Sequence, residues 1–330
     1  MNFEVFTFGC KTNQYESAGI VELLKQKSPA NLTYVINSCT VTENTDKKVA
    51  ELISRLKRDA PEANVILCGC LPKADPQKAA MLGADVVIEG KFAQDLPYSP
   101  QLNRKRAFLK IQDGCNRNCA YCIIPKARGN PTSRELADIV AEAAKLADTH
   151  SEIVITGINL CLYEHGLVNA VEAICALENV KRVRLGSLEP DLLSNSDILR
   201  LKCQTKLCFH FHLSLQSGSD SVLARMNRRY DTALYREKVA NIRAAFGEAV
   251  ALTTDIIVGF PGETDDEFAQ TLNFAEEMTF AKIHVFTYSP RKGTIASEMS
   301  AQVAPSVKKS RYAALSAIAG AGVKVEELGV

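Results

Sequence analysis

The chain carries almost no excess charge. Its 39 lysines and arginines face 38 aspartates and glutamates, a formal charge of +1, so no global field draws it toward nucleic acid. Long apolar runs are also missing: the apolar stretches end at five to eight residues, far short of the 18 or more of a membrane span. The first residues, Met1-Asn2-Phe3-Glu4, offer neither a basic region nor an apolar core before Cys10. No secretory signal is expected, no membrane partner is implied, and a cytoplasmic location is the reading. What the chain has is cysteine, eleven in 330 residues, in keeping with a reducing compartment. That length allows two domains and a sizeable core.

Three cysteines share one loop, Cys115-Asn116-Arg117-Asn118-Cys119-Ala120-Tyr121-Cys122. Thiolates so crowded bind a metal, and three of them leave one iron of a four-iron cluster open to another ligand. Zinc remains an alternative, although no second paired-cysteine or paired-histidine motif follows at the usual spacing; unmetallated thiols are another. The apolar strand Ala107–Asp113 leads through Gly114 into the loop. After it, Pro125, Gly129 and Pro131 are expected to forbid a regular helix until Arg134–Ala147 restores helical periodicity.

A second set lies upstream. Cys10 ends the run Phe3–Gly9, Cys39 ends Leu32–Ser38, and Cys70 ends Asn64–Gly69, at separations of 29 and 31 residues. Such spacing is one strand–helix–strand repeat, which brings the three to the carboxyl edge of a parallel sheet. Helical patterns over Ser17–Gln26, Lys47–Arg58 and Pro76–Leu82 fill the gaps. The alternative is that these are small core residues. Cys68 is a rival ligand, placed by strand alternation on the same face as Cys70, but Gly69-Cys70-Leu71-Pro72 reads as the turn. Cys161, Cys175, Cys203 and Cys208 have no ligand spacing and read as structural.

Residues 97–106, rich in proline and polar residues, form the expected linker. Beyond it, Ala107–Asp113, Glu152–Asn159, Arg182–Leu188, Cys208–Leu215, Ala249–Val258 and Lys282–Tyr288 alternate with helices, the pattern of a partial parallel βα barrel. Its ligands belong at the carboxyl ends of the strands. Glu189 and Gln216 stand there as pocket residues or as helix caps. Gly218, Gly259 and Gly262 read as turns that let the backbone approach a ligand. His210 and His212 share a strand face and read as satisfied histidines inside the barrel.

The Cys-x3-Cys-x2-Cys spacing with Tyr121 before the last cysteine resembles the radical S-adenosylmethionine enzymes. Phe8-Gly9-Cys10-Lys11-Thr12-Asn13-Gln14-Tyr15-Glu16-Ser17, Ile36-Asn37-Ser38-Cys39-Thr40-Val41-Thr42 and the segments 185–192, 211–230, 253–263 and 285–293 resemble their methylthiotransferase branch. That resemblance implies two [4Fe-4S] clusters and S-adenosyl-L-methionine. Cys115, Cys119 and Cys122 would hold the cluster that cleaves S-adenosylmethionine to a deoxyadenosyl radical; Cys10, Cys39 and Cys70 would hold an auxiliary cluster carrying the sulfur. It places Asn159, Glu189, Gln216, Ser217, Gly218 and Gly259 around S-adenosylmethionine. It implies a fold of an N-terminal parallel-sheet α/β domain (1–96), the linker (97–106), a partial (βα)6 TIM-like radical SAM barrel (107–304) and a C-terminal helix and tail (305–330). The all-β RNA-binding TRAM domain usual after the barrel has no counterpart in 305–330.

Three substrates occur in that branch: threonylcarbamoyladenosine in tRNA, isopentenyladenosine in tRNA, and an aspartate of a ribosomal protein. Lys11-Thr12-Asn13-Gln14-Tyr15-Glu16-Ser17 and Thr156-Gly157-Ile158-Asn159 resemble the first. An iron–sulfur electron carrier and a tRNA-binding sensor are the non-enzyme readings. Residues 100–130 hold seven lysines or arginines against Asp113 alone, a basic rim for an anticodon stem-loop or merely a solvated face. Arg117, Lys126, Arg128, Arg228 and Arg229 are the expected RNA contacts. A reducing electron donor and a sulfur source complete the expected partners.

Overall fold

Short β-branched runs followed by amphipathic stretches set the architecture. The computed structural model describes residues 2–90, 96–101 and 104–319; residues 102–103 of the expected linker and the tail 320–330 lie outside the described residues. The chain divides into two compact units, residues 1–117 with 122–158, and residues 118–121 with 159–330.

In the first unit, β1 (Phe3–Thr7), α1 (Lys11–Lys27), β2 (Thr33–Ser38), α2 (Glu43–Asp59), β3 (Asn64–Gly69), the short α3 (Cys70–Ala74) and α4 (Pro76–Ala80), and β4 (Val86–Val87) build a parallel sheet of order β1-β2-β3-β4. The helix α2 shows the logic: Val49, Leu52, Ile53 and Leu56 recur at helical spacing and bury against Ile36, Val65 and Leu67 of the sheet. Next come β5 (Ala107–Lys110), β6 (Gln112–Asp113), α5 (Ile124–Arg128), β7 (Thr132–Ser133), α6 (Leu136–Ala147) and β8 (Glu152–Thr156), with β5 parallel to β8 and β6 antiparallel to β7.

The second unit continues with α7 (Leu167–Cys175), β9 (Arg182–Leu185), β10 (Ser187–Leu188), α8 (Asn195–Lys202), β11 (His210–Leu213), α9 (Asp220–Arg225), α10 (Thr232–Phe246), β12 (Ala251–Val258), α11 (Asp265–Glu277), β13 (Lys282–Thr287), α12 (Ile295–Glu298) and α13 (Pro305–Ala319). Strands β10, β11, β12 and β13 pair parallel in that order. Capping boxes at Ser194/Asp197 and Thr264/Glu267 start α8 and α11. The helices cover one face of this sheet, where Phe211 meets Phe246 of α10 with ring centroids 4.9 Å apart, and the Tyr235 hydroxyl donates to the Leu213 carbonyl at 3.0 Å.

Two expectations change. Residues 124–128 form a helix, because Pro125 occupies its first turn, where a missing N–H costs nothing, and Gly129 at φ +75° ends it. Helix α1 starts at Lys11 rather than Ser17, since its first turns bury polar groups, Thr12, Asn13 and Glu16, which apolar periodicity does not register.

Those polar groups explain why β5 and β6 belong to the first unit. Glu16 accepts from Lys110 Nζ at 2.8 Å and from Arg128 at 2.8 and 3.1 Å, and Asp113 accepts from the same cations at 2.7 and 3.2 Å. All four are buried or nearly so. Burial alone would raise both carboxyl pKa values; the Arg128 and Lys110 charges outweigh it, lowering Glu16 and holding Asp113 at about 2. Nearby, Arg134 Nη2 pairs with Glu142 at 2.7 Å and the Tyr15 hydroxyl donates to Glu142 at 3.1 Å, tying α1 to α6.

Arg128→Met should cost about 3–5 kcal/mol in urea unfolding, because it strands buried carboxylates; exposed Lys126→Met on the same helix should stay within about 0.5 kcal/mol. Both carboxylates titrate lower folded than unfolded, so their contribution is complete above about pH 5 and is lost as pH falls below the ordinary carboxylate range, for Asp113 down to about 2. Asp113 alone contributes about 2 kcal/mol. Asp113→Asn should flatten the acid limb of the stability curve; an unchanged limb would contradict the pairing.

Candidate active site

Cys10 is the N-cap of α1, Cys39 follows β2 and Cys70 opens α3. They therefore stand at the carboxyl ends of three adjacent parallel strands. Two glycines make the close approach possible. Gly9, at φ +120°, would press a Cβ to 2.7 Å from Cys39 Cβ; Gly69, at φ +93°, would press one to 2.4 Å from the Ser38 carbonyl oxygen. Asparagines lock the strand ends together. Asn13 Nδ2 donates to Asn37 Oδ1 and to the Ser38 carbonyl, each at 3.2 Å; Asn37 Nδ2 donates to the Asn13 carbonyl at 2.9 Å; and the Cys10 thiol donates to Asn13 Oδ1 at 3.3 Å. This network is what the Thr12-Asn13 and Asn37-Ser38 motifs encode.

Gly69 also ends the alternation that would put Cys68 and Cys70 on one face. Cys68 packs with Ile20 and Val35 in the core, whereas Cys70 packs with Ala74, Ile123 and Ala127. Cys70 thus meets the residues that directly follow Cys122. Burial pushes Cys39 up to about 12, with Cys70 and Cys10 adding to the rise; burial also raises Cys70, against which the Arg128 guanidinium bonds and pulls its pKa down. Among the described residues Arg128 serves two carboxylates and a thiol at once.

The loop that begins at Gly114 folds back on its own exit: Cys115 N–H donates to the Gly129 carbonyl at 3.0 Å, and a Cβ on Gly114 would lie 2.1 Å from the Asn130 oxygen. The Arg117 N–H donates to Cys115 Sγ at 3.4 Å. In the second unit, residues 118–121 are stitched by Ala120 N–H to the Met226 carbonyl at 2.9 Å, Asn227 Nδ2 to the Asn118 carbonyl at 2.7 Å, and Ala296 N–H to the Ala120 carbonyl at 2.8 Å. Arg228 donates to Cys119 Sγ at 3.1 Å, pairs with Glu189, and donates to the Tyr230 hydroxyl at 3.0 Å.

Three of the expected RNA contacts are corrected by burial. Arg117 and Arg128 are 5% and 7% exposed, and the Arg228 side chain 3%, so none forms a solvent-facing rim. Two of them are engaged by carboxylates, and Arg128 and Arg228 also reach cysteine sulfur. Lys126 and Arg229 are exposed. Ser217 is fully buried, its hydroxyl 3.2 Å from Thr271 Oγ1, and Gly218 lies where a Cβ would meet Phe274 at 2.7 Å; both seat the sheet on α11. Gly259, at φ +72°, is approached by Lys308 of α13, with its N–H donating to Glu263 at 2.7 Å. Asn159 and Gln216 are buried, Asn159 opening a 3₁₀ turn and Gln216 at φ +71° bonding backbone to backbone with Asp255 and Ile257. The Cys161 thiol is raised to about 12 by burial and donates to the Glu189 carbonyl at 3.9 Å, a structural setting.

Residues 109–275 match the Radical SAM superfamily and residues 2–89 match Uncharacterized protein family UPF0004. The chain is 35% identical to the threonylcarbamoyladenosine tRNA methylthiotransferase MtaB of Bacillus subtilis, over 94% of this chain and 79% of that one. The chain belongs to the radical SAM methylthiotransferase family. The Thermotoga maritima methylthiotransferase MtaB is 36% identical over 92% of this chain and 79% of its own. The tRNA-2-methylthio-N(6)-dimethylallyladenosine synthase of Pelotomaculum thermopropionicum is 32% identical over 95% and 81%. Among solved structures, the radical S-adenosylmethionine methyltransferase TsrM of Kitasatospora setae shares the fold, with a TM-score of 0.64 and 13% identity over 84% of this chain and 68% of that one. The expected α/β fold with a radical SAM barrel holds.

A radical SAM methylthiotransferase needs a [4Fe-4S] cluster and S-adenosylmethionine, and the donor set at Cys115, Cys119 and Cys122 fits the cluster. N–H groups already reach the sulfurs of Cys115 and Cys119, the arrangement that stabilises cluster thiolates. Among the described residues, no helix is long and apolar enough to cross a membrane.

Hydrogen bonds to a ligand sulfur raise a cluster's reduction potential, because they stabilise the more electron-rich state. Arg228→Met should therefore make the potential of the reconstituted protein more negative at unchanged iron content. Spectroelectrochemical titration measures it; a potential equal to the parent's removes Arg228 from the cluster's surroundings.

Proposed function

We propose that this methylthiotransferase acts on tRNA, adding a methylthio group at C2 of N6-threonylcarbamoyladenosine next to the anticodon. The observation that carries the reading is the identity gradient: 34–36% to the threonylcarbamoyladenosine enzymes against 30–32% to the dimethylallyladenosine ones. The Lys11-Thr12-Asn13-Gln14-Tyr15-Glu16-Ser17 motif agrees with it, and its Asn13 and Glu16 anchor the first cysteine's surroundings. Methylthiolation of isopentenyladenosine is the second reading, supported by the lower-identity relatives.

The sequence modules proposed are 1–96 for the auxiliary site, 97–106 as linker, 107–304 for the barrel and 305–330 as a terminal extension. Cys10, Cys39 and Cys70 hold a second [4Fe-4S] cluster. Bound together, the two clusters and S-adenosylmethionine supply hydrogen abstraction from the adenine carbon and the sulfur that replaces it. The protein's own part is positional. Arg128 favours the Cys70 thiolate, Arg228 holds Cys119 beside Glu189, and Asn159, Glu189 and Gln216 offer polar groups to S-adenosylmethionine. Exposed Lys126, Arg229, Arg104 and Lys105 meet RNA phosphates. A reducing donor and a sulfur source act with it in the cytoplasm.

Anaerobically reconstituted protein should carry about eight irons, and Cys115→Ala, Cys119→Ala and Cys122→Ala combined should leave about four. Loss of all iron in that variant eliminates the auxiliary cluster. Mass spectrometry of tRNA nucleosides from a deletion strain should show threonylcarbamoyladenosine without its methylthio group. If that group persists while dimethylallyladenosine loses its own, the second reading stands.

A further inference from the structure

The face of β11, β12 and β13 opposite the covering helices carries an arrangement that cluster and S-adenosylmethionine chemistry leaves unused. Parallel register sets His212 against Thr253 and Asp255 against His284. Strand alternation puts His210, His212, Thr253, Asp255 and His284 on that one face. One ligand atom from each of His212, Asp255 and His284 falls within 4.8 Å of the others. Their rigid strand backbones fix this spacing.

We infer that His212, Asp255 and His284 form a binding site for one divalent transition-metal ion of the zinc type. Three observations carry it. The donor set, two imidazoles and a carboxylate, is the set such ions take, and three protein ligands leave a position for water or another ligand. The spacing fits: His212 Nε2 lies 3.3 Å from Asp255 Oδ2 without hydrogen-bonding geometry, and two ligands about 2.0–2.1 Å from a tetrahedral ion stand about 3.3–3.4 Å apart. The outer support is present as well. His212 Nδ1 is 3.0 Å from Thr253 Oγ1, which lies 3.3 Å from His210 Nε2. With Nε2 on the ion, Nδ1–H donates to Thr253, whose hydroxyl hydrogen goes to His210. That fixes the tautomer, as outer-shell partners of metal-bound histidines do. The rings of His212 and His284 stand 5.9 Å apart at 45°, and all three ligands are half-buried, so solvent ions reach them. His210, through Thr253, and His212, as a ligand, thereby acquire a role beyond that of satisfied groups inside the barrel.

The site is independent of which nucleoside is modified. Anaerobically reconstituted protein with its iron fully loaded should take up about one Zn2+ per chain, measured by plasma mass spectrometry after gel filtration. His212→Ala with His284→Ala should abolish that uptake at unchanged iron content. Thr253→Val should weaken Zn2+ binding about 10- to 100-fold, as loss of an outer-shell partner does. Co2+ offered instead should give ligand-field bands without thiolate charge transfer, a readout that needs no variant. Failure of the iron-loaded parent to bind Zn2+, uptake retained in the double variant, or a Co2+ thiolate charge-transfer band overturns the assignment.

Discussion

Beneath the amino-terminal cysteines, two cations and two carboxylates share one buried volume: Lys110 and Arg128 with Glu16 and Asp113. Four charges removed from water are costly unless each finds its partner, and here each carboxylate accepts from both cations. The set is neutral as a whole and intolerant of displacement. It fixes α1, which Cys10 caps, to the strand end that leads into Cys115 and to the helix that follows Cys122. Hydrophobic packing alone tolerates sliding; a four-membered ionic network with fork geometry does not.

The same network bears on the chemistry of sulfur. Buried thiols resist ionisation, as Cys39 at about 12 illustrates, and a metal bound by thiolate must first displace those protons. Cys70 is buried too, yet a guanidinium bonds to it. Of the thiols at the three strand ends, the one packed on α5 is therefore hydrogen-bonded by a resident counter-charge, whose field also reaches Cys39. An exposed cation would be screened by water and salt; a buried one is not.

Much of this was legible in the chain. Repeats of strand and helix about 30 residues long placed Cys10, Cys39 and Cys70 at strand ends, and Gly69 before the last of them signalled a turn; that Gly9 is a second position where no Cβ fits emerges only from the structure. The positions of Arg117, Arg128 and Arg228 were not legible. Sequence marks an arginine as basic, and base composition favours the surface, but burial is decided by carboxylates over a hundred residues away, as with Glu16 and Arg128. The packing of Ser217 and Gly218 was hidden for a similar reason: small residues at a strand end carry no sign in the sequence of the helix α11 that closes over them. The helix at Pro125 was hidden because proline reads as a breaker unless its place in the first turn is known.

Arg128 and Arg228 answer the same physical problem in their respective units. Each is buried, each is held by a carboxylate, and each keeps an N–H for a cysteine sulfur: Cys70 for one, Cys119 for the other. A lysine could neutralise the carboxylate, but its single ammonium could not also direct a planar donor to sulfur at a fixed angle. The carboxylate in turn keeps the guanidinium from being an unpaired buried charge before any metal arrives, and burial keeps its N–H from being spent on water. The carboxylate–arginine–sulfur arrangement is therefore complete in the protein alone, and the donor waits at the sulfur rather than being recruited by the ligand.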